Sequence, residues 1–90
     1  MTSHAEKAAR FLALHHTDEV LLLPNAHDAG TAKVFEAMGF SATATTSAGF
    51  AGTLGRLDYH VTRDEALEHC AALVAATDLP VSADYENAFA

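Results

Sequence analysis

Apolar positions along the chain change period several times, and each change marks an element. Ser3-His4-Ala5-Glu6 has the spacing of a capping box, and Ala8, Phe11, Leu12 and His15 follow at helical intervals, which predicts an amphipathic helix over residues 4–16. Val20-Leu21-Leu22-Leu23 is a short unbroken apolar run that reads as a strand buried on both faces, ended by Pro24 and Asn25. Asp28 then offers an N-cap oxygen, Ala32, Phe35, Glu36 and Met38 continue a second helix, and Gly39 can close it in the left-handed conformation. Phe40 to Thr46 reads as a second strand, which breaks into the small-residue run Ser47-Ala48-Gly49-Phe50-Ala51-Gly52. Another capping box, Thr62-Arg63-Asp64-Glu65, opens a helix whose Leu67, Cys70, Ala71 and Val74 fall on one stripe, and Leu79 to Ala83 supplies a third strand.

Strands alternating with helices predict an α/β architecture around a parallel sheet, with chemistry gathered at the carboxyl ends of the strands. No Gly/Ser linker, charge block or low-complexity tract marks a domain boundary. Half of the 90 residues are hydrophobic and the net charge is −7, which provides for one small core and argues against a nucleic-acid partner or an anionic membrane surface. Small molecules or other proteins are the expected partners. No apolar run approaches the roughly 18 residues that span a bilayer, and Glu6, Lys7 and Arg10 stand where a secretory signal would be apolar. A cytoplasmic protein is the expectation. Cys70 is the single cysteine, so an internal disulfide or a cysteine zinc cluster is impossible, in keeping with a reducing compartment.

In a parallel sheet the three strand ends, Asn25 to Asp28, Thr45 to Gly49 and Asp84 to Glu86, share one rim. Asp84 and Glu86 are two apart, so on a strand they leave the same face. Mg²⁺ suits such a pair, because it takes one or two carboxylates together with waters and an anionic substrate. Taken alone, the pair also reads as a solvated loop. The Thr45-Thr46-Ser47-Ala48-Gly49 run offers hydroxyls and unobstructed backbone N–H groups to a carboxylate or phosphonate, although small residues equally pack tight turns. It lacks the spaced glycines and lysine of a nucleotide phosphate loop, which excludes ATP binding of that kind. Asp58, in the loop after the second strand, can reach over the rim toward a metal-bound water. Of the six histidines none pair at i, i+4 on one helix face; His15-His16 fits a helix end, and only His27 sits beside the rim. Cys70 has the phase of a packing residue, and Tyr85, alternating with its acidic neighbours, is expected to face away from them.

Together these segments resemble the phosphoenolpyruvate mutase/isocitrate lyase superfamily, particularly its phosphonomutase-like and methylisocitrate lyase-like members. The resemblance rests on Leu23-Pro24-Asn25-Ala26-His27-Asp28-Ala29-Gly30, Ala37-Met38-Gly39-Phe40, Thr45-Thr46-Ser47-Ala48-Gly49, Leu54-Gly55 with Asp58, Thr62-Arg63-Asp64-Glu65, and Pro80-Val81-Ser82-Ala83-Asp84-Tyr85-Glu86-Asn87 in that order. It implies a (β/α)8 TIM barrel of which residues 1–90 are a single partial domain: the leading helix and three parallel strands, about the first third. It further implies a Mg²⁺-dependent lyase or mutase whose substrates are 2-oxo acids, phosphonates or enolpyruvyl compounds, with C–C or P–C bonds made or broken through a metal-stabilised enolate, and a homo-oligomer in the full-length form. By the same resemblance Asp84 and Glu86 are the metal positions, Asp58 and Glu86 act in catalysis, and Thr46, Ser47, Ala48 and Asp84 bind substrate. His27 stands where relatives commonly carry an aromatic residue, and Ala88 where glycine is expected.

Three strands leave open sheet edges, so a 90-residue portion by itself is expected to be marginal and inactive. The rival expectation is a non-enzymatic α/β partial-barrel module that self-associates or pairs with another chain.

Overall fold

The computed structural model, which describes residues 2–90, has four helices and three short strands among those residues. They are α1 (His4–Leu14), β1 (Asn25–Ala26), α2 (Ala29–Ala37), β2 (Thr43–Thr45), α3 (Ser47–Thr53), α4 (Arg63–Ala76) and β3 (Val81–Ser82). The strands form one parallel sheet in the order β1-β2-β3, with Asn25 opposite Ala44 and Thr43 opposite Val81. Ala26, Ala32 and Leu73 make the buried centre, covered by Phe35, so the core lies between the sheet and the α2/α4 layer.

Side-chain caps set the helix starts. Ser3, Asp28, Thr46 and Thr62 each accept the backbone N–H of the residue three further on. The reciprocal bond of a capping box forms at Thr62/Glu65, where Glu65 also pairs with Arg56 at 2.8 Å; at Ser3/Glu6 only the serine half is present. The end of α2 is a Schellman motif: Gly39 at φ +91° donates to Glu36, Phe40 donates to Phe35, and the two phenyl rings meet edge to face at 5.6 Å.

Four sequence expectations need correction. Val20 to Leu23 is not a strand: Val20 is 85% and Leu22 64% exposed, and the ladder begins only at Pro24, whose carbonyl accepts from Ala44 N and Thr43 Oγ1. Extending the register backwards would set Leu21 and Leu22 against Phe40 and Ser41, but Phe40 is committed to closing α2. The run therefore has no partner on that side. The buried side chain of α1 is also not one of its apolar residues. It is Lys7, whose Nζ donates to the carbonyls of Val74 and Thr77 at 2.8 and 2.6 Å and so caps the negative end of α4.

On α4 the buried positions are Ala66 and Leu73, one residue out of phase with the predicted stripe, and Leu67 is 47% exposed. The ends of the helix fix that rotation, through Glu65 with Arg56 at its start and Thr77 with Lys7 and Glu36 at its finish. Finally, the run after β2 does not break the secondary structure. Thr46 caps it into α3, and Gly49 permits the close approach, since a Cβ there would lie 2.6 Å from Thr46 Cγ2 and 3.1 Å from His27 Cβ.

Candidate active site

Ser47 is the hinge of the rim. As the first residue of α3 it points its N–H at Asp84 Oδ2, 3.3 Å away, while its Oγ donates to Asp58 Oδ1 at 3.1 Å. One small residue after β2 thus links the carboxylate beyond β3 to the carboxylate of the following loop. Asp84 is held from below as well: its own N–H donates to Thr45 Oγ1 at 2.7 Å, so a buried threonine at the end of β2 fixes where the chain leaves β3. Thr46 caps through Gly49 N, and the Ala48 N–H is left without a protein partner among the described residues.

The expected strand alternation does not bring Asp84 and Glu86 together, because β3 ends at Ser82. Asp84 Oδ1 instead accepts the N–H of Glu86 at 3.0 Å across a turn in which Glu86 (φ 57°), Ala88 (φ 63°) and Phe89 (φ 58°) are left-handed. The bond from the Glu86 N–H, reinforced by that from Ser47, holds the Asp84 carboxyl below its ordinary range, so it is a carboxylate at neutral pH. Glu86 Oε2 is buried and has no hydrogen-bond partner among the described residues. No group of three or more His, Cys, Asp and Glu side chains is assembled for a metal among them, so any cation here would rest on two carboxylates at most, with waters and substrate completing its shell.

Tyr85 turns toward α4 and lines the space beside Thr45, Phe50, Val61 and Ala66. The Cys70 thiol beside its hydroxyl, together with burial, pushes its pKa up to about 12. Cys70 is accordingly a half-buried packing residue. His69 lies flat on Phe50, ring centroids 3.9 Å apart, with Nε2 buried and unpaired; desolvation drives its pKa down, so it is neutral. His27 sits in the bend after β1, its Nε2 3.2 Å from Thr31 Oγ1. Asp58, Thr46, Ser47, Ala48 and Asp84 therefore share the carboxyl end of the sheet, with Glu86 one turn further on.

The sequence profile of the family described as phosphoenolpyruvate phosphomutase matches residues 11–90. The chain belongs to this phosphomutase family. It is 36% identical over 88 residues to a 2-methylisocitrate lyase of Halalkalibacterium halodurans, covering 97% of this chain and 29% of that protein. It is 38% identical over 84 residues to a 2,3-dimethylmalate lyase of Eubacterium barkeri, covering 91% and 29%. A Burkholderia cenocepacia crystal structure described as a lyase/mutase superposes with a TM-score of 0.92 at 50% identity, over 94% of this chain and 31% of that one. The chain thus spans about three tenths of the length of these relatives, and its α/β parallel sheet is the corresponding part of their fold. No helix among its described residues is long and apolar enough to cross a membrane.

Two anchors of this rim were not read from the sequence. Thr45 as the support of Asp84 was visible only as a hydroxyl at a strand end, and Thr31 as the partner of His27 only as an i+4 spacing.

Proposed function

We propose that this chain forms part of the catalytic rim of a Mg²⁺-dependent lyase or mutase that makes or breaks a C–C or P–C bond in 2-oxo acids or enolpyruvyl compounds. One observation carries the reading: Ser47 bonds Asp84 through its N–H and Asp58 through its hydroxyl. Supporting it are relatives named 2-methylisocitrate lyase and 2,3-dimethylmalate lyase.

The donor set fits a hard cation. Asp84 is ionised, and the buried, unpartnered Oε2 of Glu86 is an oxygen that a cation or its water would satisfy. Asp84 and Glu86 would hold the metal. When bound, Mg²⁺ supplies Lewis-acid stabilisation of the charge that develops on an enolate oxygen. The chain's own residues do the rest. The free Ala48 N–H donates to the substrate carboxylate, with Thr46 and Ser47 fixing its direction, which orients the substrate for reaction. Asp58 keeps the Ser47 hydroxyl turned toward itself, and Asp58 and Glu86 are the bases able to take a proton at the rim.

Calorimetric titration of Mg²⁺ into the chain with oxalate, a chelating dicarboxylate, tests this. Asp84→Asn and Glu86→Gln should each weaken the ternary complex at least tenfold. Wild-type affinity in both variants would remove the metal role. β1 and β3 each keep an open edge, so the 90-residue chain alone is proposed to show no turnover. The exposed Val20 and Leu22 beside β1 favour a second reading, a non-enzymatic partial-barrel module that pairs with itself or another chain. Mg²⁺-independent dimerisation on size exclusion, without oxalate binding, would support it instead.

A further inference from the structure

Resting on the rim reading above, we infer that His27 is a specificity-determining residue that selects substrates carrying a second anionic group, a distal carboxylate or phosphonate.

Across the three strand ends, residues 25–28, 45–49 and 83–87, the charged side chains are Asp28, Asp84 and Glu86, with Asp58 joining from the loop. His27 is the single basic side chain in those segments. A divalent cation held by Asp84 and Glu86 would take up one anionic end of a 2-oxo acid. Among those segments His27 is the one side chain that can meet a second anionic group on the same substrate with a positive charge.

Geometry supports the assignment. His27 stands in the bend between β1 and α2, and its Cβ abuts Gly49, two residues from Ser47, so the ring flanks the turn proposed to hold the substrate carboxylate. The ring is also oriented. Thr31 Oγ1 gives its proton to Asp28 Oδ1 at 2.7 Å and therefore accepts from His27 Nε2 at 3.2 Å. That leaves Nδ1 without a protein partner among the described residues, on a side chain that is half exposed. Asp28 Oδ2 lies 3.7 Å from Nε2, and in the protonated ring Nδ1–H is a charged donor for an anion. An aromatic hydrocarbon at this position would fill the same bend and offer no such donor.

The test compares pyruvate, which has no second anionic group, with phosphonopyruvate, which has one, each titrated into the chain at saturating Mg²⁺. Wild type should prefer phosphonopyruvate. His27→Gln and His27→Phe should weaken phosphonopyruvate about tenfold while leaving pyruvate within twofold, as expected for loss of one charge-assisted bond. Thermal melts of both variants identify any general loss of fold. Equal weakening of both acids, or no weakening of phosphonopyruvate, overturns the assignment of His27 alone. If neither acid shows Mg²⁺-dependent binding to wild type, the rim reading falls and this inference falls with it.

Discussion

Replacing Gly49 with alanine sets two known effects against each other at the residue on which the rim closes. In an unobstructed helix the change is favourable by about 1 kcal/mol. Here the new methyl would lie 2.6 Å from Thr46 Cγ2 and 3.1 Å from His27 Cβ, both inside normal contact. Thr46 has little freedom to yield. It is β-branched, and rotating it breaks the cap that its Oγ1 makes with Gly49 N, at a cost of about 1 kcal/mol. His27 Cβ moves only with the backbone of the β1–α2 bend. Overpacking of this kind costs about 1–3 kcal/mol, so after the helix-propensity gain Gly49→Ala should destabilise the chain by up to about 2 kcal/mol net. Urea unfolding followed by circular dichroism reads this as a lower midpoint at unchanged slope. Thr46→Ser supplies the control, because it removes Cγ2 and keeps the capping oxygen. In that background the alanine should cost less than half as much. Stabilisation by Gly49→Ala, or an equal penalty in both backgrounds, would refute the close approach.

Lys7→Met leaves the carbonyls of Val74 and Thr77 without their charged donor at a buried position and should cost about 2–4 kcal/mol in the same assay, whereas an exposed lysine would cost almost nothing. Ala88→Gly relieves an alanine at φ 63°, a strain of about 1–2 kcal/mol, against a smaller gain in unfolded-chain entropy, for a net stabilisation of about 0.5–1 kcal/mol in thermal or urea unfolding. His69 has its folded pKa below its ordinary 6.5, so the stability it contributes is full above pH 6.5 and is lost as the pH falls below that value. His69→Phe, which keeps the ring on Phe50, should flatten the stability profile between pH 7 and 5.5; an unchanged slope there would show that His69 is not the group responsible. Glu36, Glu65, Asp28 and Asp84, all held below their ordinary values by hydrogen bonds, act in the same direction at lower pH, where stability should fall further.

What the chain shows in its letters is mostly local. Asp28, Thr62 and Gly39 announce helix ends because a cap needs only the residues around it. The meeting of Thr46–Ala48, Asp58 and Asp84 followed from parallel topology, since strands running one way must end on one rim. Most of the failures are non-local. Nothing in Val20 to Leu23 reveals that Phe40 is spent on closing α2, and nothing in an amphipathic α1 reveals that a lysine is its buried residue, because the carbonyls it serves lie 67 and 70 positions away. Glu86 was placed beside Asp84 by an alternation that requires a strand, whereas the left-handed turn replacing it depends on the Asp84 carboxylate capturing the Glu86 N–H.

The central claim is that the carboxyl end of the sheet grips a metal-chelated oxyacid through Asp84, Glu86 and the Ser47 turn. Paramagnetic broadening of backbone amide signals by Mn²⁺, used in place of Mg²⁺ with oxalate, locates the ion directly. The amides of Ser47, Ala48, Asp58, Asp84 and Glu86 should disappear first, while those of Lys7, Phe11 and Val74 at the opposite end of the sheet persist. Broadening centred on the latter group, or spread evenly over the exposed acidic side chains, would contradict the account.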